Sequence, residues 1–83
     1  MVDLNEMSRK LLDKINENDR LQGKLSLAQQ KFADAARDND KKRAEDARLE
    51  YSTLMDALFD LNFDTIRMAE ELKRETANSL FRR

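Results

Sequence analysis

Arg37-Asp38-Asn39-Asp40-Lys41 is the stretch that decides the fold, because two long helical patterns meet there. Asp and Asn side chains offer the backbone hydrogen bonds that compete with a helix, so they favour turns and caps. Asp40 is a candidate N-cap for whatever helix follows, with Glu45 close behind to favour its positive end. A short connection between two helices makes them antiparallel neighbours. The competing reading is one unbroken helix through residue 40, as in a long parallel coiled coil.

Outward from this turn, apolar residues recur at helical spacing on both sides. Upstream the stripe is Leu4, Met7 and Leu11, then Leu21, Leu25, Ala28, Phe32 and Ala35. Its steps alternate as in a heptad seam. Downstream it is Ala44, Ala47, Tyr51, Leu54, Leu58, Leu61, Thr65, Met68 and Leu72. Folding the stripes together at Asn39-Asp40 sets Phe32 opposite Ala47 and Ala28 opposite Tyr51. Leu25 then meets Leu54, Leu21 meets Leu58, Leu11 meets Met68, and Met7 meets Leu72. Large residues face small ones near the turn, and interdigitating cores use such size pairing. The expectation is an all-α chain, an antiparallel two-helix coiled-coil hairpin forming one domain over 1–83. Its helices cover about 3–37 and about 42–80, its turn about 38–41, and each arm is roughly 50 Å long at 1.5 Å per residue.

The upstream pattern falters at Asn16-Glu17-Asn18-Asp19. Lys14 and Asn18 occupy seam positions where apolar residues were due. A continuous helix can carry such a residue as a register device, at a cost in stability. The alternative is a break, with Asn18 capping a new helix and residues 3–16 forming a separate one. Continuity is the reading preferred here. Gly23 follows one turn later and costs about 1 kcal/mol relative to Ala in a helix.

Composition agrees with two long helices. The 83 residues contain no proline, one glycine, 40% charged and 40% hydrophobic residues. Few breakers leave little means of making many short strands. A compact core in so short a chain is marginal without a staple or a partner. No cysteine is present to supply a disulfide or a thiolate metal site, and no histidine to ligate a metal or shuttle protons.

A second apolar stripe implies a partner. Met55, Phe59, Phe63, Ile66 and Ala69 follow helical spacing beside the main downstream seam, so roughly half that helix's circumference is apolar between Leu54 and Leu72. One companion helix can cover only one of the two stripes. Leu12 and Ile15 are left over upstream in the same way. Leaving so many large apolar residues in one exposed patch is unusual for a soluble monomer. Either the N-terminal segment folds back over the stripe as a three-helix bundle, or another molecule covers it. The second is preferred, since small scaffolds often complete their core by oligomerising. Two hairpins meeting there would make a four-helix bundle. Leu80 and Phe81 are further candidate anchors, as a docking tail.

The sequence points away from chemistry. Without histidine or cysteine no Ser–His or Cys–His pair can form, and one glycine makes no phosphate loop. Asp38 and Asp40 begin like a calcium loop, but Lys42 and Arg43 stand where oxygen ligands are needed. Asp60 with Asp64, and Asp34 with Asp38, read as solvated helix faces rather than metal sites. Sixteen basic against 17 acidic residues give a net charge of −1, with no field to steer nucleic acid. Lys41-Lys42-Arg43 is flanked by acids and lacks aromatic residues for stacking bases. No apolar run is long enough to span a bilayer, and Met1-Val2-Asp3-Leu4 lacks the features of a secretory signal. The expectation is a cytoplasmic protein with no enzymatic activity, cofactor, metal, nucleic-acid partner or membrane insertion; export by a signal-less route stays open.

At Leu21-Gln22-Gly23-Lys24-Leu25-Ser26-Leu27-Ala28, followed by Lys31, the chain resembles the first helix of type III secretion needle subunits. The likeness continues at Glu50-Tyr51-Ser52 and Thr65-Ile66-Arg67 and ends at Leu80-Phe81-Arg82, so it covers residues 21–83. The family's proline-containing turn is here Asp38-Asn39-Asp40. The resemblance implies a helical hairpin that polymerises through its C-terminal helix. The small helical co-chaperones that hold needle subunits in the cytosol share the hairpin architecture. Two functions follow as expectations. One is a self-assembling structural protein. The other is an adaptor, co-chaperone or phage-type inhibitor offering the same stripe to a different helical protein.

Overall fold

The computed structural model describes residues 3–81. Helix α1 runs Leu4–Arg37, 34 residues, and helix α2 runs Lys41–Phe81, 41 residues. They pack antiparallel along their lengths into a hairpin with extents 67 × 14 × 14 Å. Both Lys31 with Glu50 near the turn and Asn18 with Asn62 further down meet across the pair, which fixes that direction.

The turn is built from backbone geometry as well as capping. Asn39 takes the left-handed conformation at φ 56°. Asn is among the few non-glycine residues that adopt it readily. This lets the Asn39 N–H donate to the Ala36 carbonyl at 3.1 Å and the Asp40 N–H to the Ala35 carbonyl at 2.8 Å. That pairing of two orphan carbonyls is a Schellman motif. Asp40 then caps α2: its carboxylate accepts from the Arg43 N–H at 3.1 Å. No acidic residue falls in the first turn of α2; Glu45, expected to favour its positive end, stands beyond that turn and pairs with Arg48. At the far end Asp3 caps α1, accepting from the Asn5 and Glu6 N–H groups at 3.0 and 3.2 Å.

α1 is continuous through Asn16–Asp19, so the break considered at Asn18 does not occur. The seam holds Leu21, Leu25, Ala28, Ala35 and Ala47 buried, with Leu11, Tyr51, Leu54, Leu58, Leu61, Met68 and Leu72 half-buried. Thr65 sits in the seam with its hydroxyl donating to the Leu61 carbonyl at 2.8 Å, so it leaves no polar group unmatched. Phe32 corrects the sequence reading. It was expected in the core opposite Ala47, yet it is 44% exposed. Ala28, Ala35 and Ala47 pack with almost no exposure around it. Side chains at the contact set the distance between helix axes. Three alanines bring the backbones close, and no space for a phenyl ring remains between them. Ala35 closes the seam instead, and Phe32 lies at its edge.

Candidate interaction face

An antiparallel pair of heptad helices has two flanks, one on each side of the seam. Residues one place after the seam positions Lys14, Leu21 and Ala28 of α1 and Ala47, Leu54, Leu61 and Met68 of α2 share one flank: Ile15, Gln22 and Gln29 with Arg48, Met55, Asn62 and Ala69. Residues one place before the next seam position share the other: Lys10, Glu17, Lys24 and Lys31 with Arg43, Glu50, Ala57, Asp64 and Glu71. Two surface grooves near the turn display this division. One is lined by Ala28, Gln29, Phe32, Ala47, Arg48 and Tyr51, the other by Lys31, Arg43, Asp46, Ala47 and Glu50.

The second flank is charged. It carries the exposed pairs Lys10–Glu6, Arg20–Glu17, Arg67–Asp64 and, between the helices, Lys31–Glu50 at 3.4 Å. Exposed ion pairs are each worth only about 0–1 kcal/mol, so their effect is to keep this side in water rather than to hold the hairpin.

The first flank is mostly uncharged and carries the apolar surplus. Phe59, Phe63 and Ile66 are between 60 and 70% exposed, and Ala69 is exposed beside them. Met55, nearer the seam, is half-buried. Leu12 and Ile15 of α1 are also exposed. In this register they stand at the height of Ile66 and Phe63, on the same side. The sequence showed both sets as left over but did not join them. Their common place in the heptad, once the helices are antiparallel, is the signal that joins them. The N-terminal segment therefore does not fold back over the α2 stripe; it contributes to the same open face. Leu80 continues this flank and is 70% exposed. Phe81, about 100° further round the helix, falls outside it at 86% exposure.

Among these apolar residues lies a polar cluster whose far side sequence reasoning missed. Asn18, on the seam, donates from Nδ2 to Oδ1 of Asn62, and accepts from Gln22 Nε2 at 2.7 Å. Asn62 sits beside the downstream seam, so the stripe alone gave no reason to single it out. The flank's main ionic contact lies near the turn, where Arg48 grips Glu45. The hydrogen bonds from Arg48 hold the Glu45 carboxyl below its ordinary range.

The described residues contain no group of three or more His, Cys, Asp or Glu side chains placed to hold a metal ion. No described helix is long and apolar enough to cross a membrane. No family model, curated protein or solved structure matches this chain.

Proposed function

We propose that this chain is a non-enzymatic self-association module that joins other copies through the uncharged flank of its hairpin. One observation carries the reading: Phe59, Phe63 and Ile66 stand open on α2 with Leu12 and Ile15 beside them, on a flank segregated from nearly all the ion pairs. Burying one such side chain is worth about 1.5–3 kcal/mol. A contiguous patch of them marks an interaction surface rather than scattered surface apolarity.

Light scattering across a concentration series tests this. The wild type is expected to show a multiple of the chain mass. Phe59→Glu and Phe63→Glu are expected to lower that mass to one chain while circular dichroism keeps most of the helical signal. A mass unchanged by both variants would remove the flank from the interface. A wild type that stays monomeric would hand the face to a different helical protein.

A further inference from the structure

We infer that the flank is covered by a second copy turned about a twofold axis that crosses α2 at Ile66, so that two hairpins close face to face and antiparallel. This deepens the self-association reading and rests on it. Two kinds of twofold can lay the flank on itself. An axis along the rod places α2 over the second copy's α1 at equal height. An axis across the rod places α2 over α2 and α1 over α1, running in opposite directions.

The crosswise axis accounts for more of the surface. Heights within the hairpin are set by the cross-helix contacts of Asn18 with Asn62 and of Lys31 with Glu50. At the height of Ile66, α1 presents the interval between Leu12 and Ile15. One axis therefore centres both apolar groups. Ile66 meets its own copy, Leu12 meets the second copy's Ile15, and Phe63 meets the second copy's Ala69, large against small.

The ends of the contact agree with its centre. Leu80 lies fourteen residues after Ile66, and Ser52, next to Tyr51, lies fourteen before it. Leu80 of each copy is thereby carried to the mouth of the other's open groove, about 430 Å³ and floored by Ala28, Ala47 and Tyr51. Charge separates the two axes. Asp19 lies on this flank of α1. The crosswise axis sets it against Ser8 and Arg9 of the second copy, where a guanidinium can reach it. The lengthwise axis sets it against Phe59, an uncompensated carboxylate on an aromatic ring. Lys73 falls over the second copy's Phe59, where its stem packs and its ammonium meets the ring face.

The area is sufficient. The contact runs from the height of Ser52 to that of Leu80 on α2, about 42 Å, and over residues 4–23 on α1, about 29 Å, each strip about 9–10 Å wide. That gives on the order of 700 Å² per copy, within the range of standard stable interfaces.

The chain contains no cysteine, so one introduced thiol is unique. Ile66→Cys is expected to have dimer mass under reducing conditions and to form a disulfide-linked dimer on oxidation. Its rate should exceed that of Leu27→Cys, on the opposite flank, by about a thousandfold, as millimolar effective concentration replaces micromolar encounter. Mixed Leu80→Cys and Ser52→Cys chains should cross-link to each other far faster than either does alone. A dimer in which Ile66→Cys links to tagged Leu12→Cys and not to itself overturns the crosswise axis while leaving self-association intact. An open-ended polymer overturns the closed twofold. A single-chain mass at every concentration overturns both readings.

Discussion

Asn39 and Gly23 are conformational choices with opposite outcomes. Asn39 occupies a left-handed position that the reversal requires, and two backbone hydrogen bonds depend on it. Gly23 sits at an ordinary helical φ in the middle of α1 and is exposed. A Cβ built at Gly23 meets nothing within 4 Å beyond the adjacent residues and backbone of its own helix turn. Gly23→Ala should therefore stabilise the hairpin by about 0.5–1 kcal/mol, part of it through fewer unfolded conformations. Urea melts at fixed protein concentration would show a raised midpoint with unchanged slope; a lowered midpoint would mean that position 23 is covered by something other than water. The turn at Asp38-Asn39-Asp40 was legible in the sequence because residue chemistry alone disfavours a helix there. The left-handed residue within it was not singled out, since all three members of that run are turn formers.

The two helices find their register partly through Asn18 and Asn62. The seam of α1 would be more apolar with a leucine at 18, and hydrophobic packing along a heptad stripe tolerates a slip of one repeat. A side-chain hydrogen bond between the helices does not, because a slipped Asn18 would face apolar residues. Asn62→Ala leaves Asn18 with only Gln22 for company and is expected to cost about 0.5–1.5 kcal/mol. Asn18→Leu should raise the melting temperature, as burial of a larger apolar group outweighs one exchanged hydrogen bond. A double-mutant cycle over Asn18→Ala and Asn62→Ala measures their coupling. A coupling energy of zero would reduce the pair to two independently solvated amides. Periodicity made both long stripes legible, and with them the antiparallel pairing. It could not place Phe32, whose exposure follows from how closely three alanines bring the backbones together. Nor could it join Leu12 and Ile15 to Phe63 and Ile66, because that requires knowing the relative height of two elements as well as the face of each.

At the scale of the molecule, the hairpin has a narrow seam and a wide apolar flank. Five described residues are buried, and three of them are alanines, which contribute little area. Ordering each residue costs about 1–2 kcal/mol of backbone entropy, so a core this thin offsets the cost only in part. The large side chains that could supply the remainder stand on the flank. On the proposed self-association, folding and association draw on the same apolar surface, and stability becomes inseparable from protomer concentration. For unfolding of a dimer to two chains, a tenfold rise in concentration adds about 1.4 kcal/mol per dimer, or about 0.7 per chain. A chain of this size shifts its midpoint by about 4–8 °C per kcal/mol, so the midpoint should rise by about 3–6 °C for each tenfold increase. Thermal melts followed by circular dichroism over three decades of concentration measure this directly. Phe59→Glu should melt lower and at a temperature that no longer depends on concentration, because the glutamate would have to be buried unpaired for the dimer to form. A wild-type midpoint flat across the series would mean that the seam alone holds the helices, and that the open flank contributes nothing to the fold.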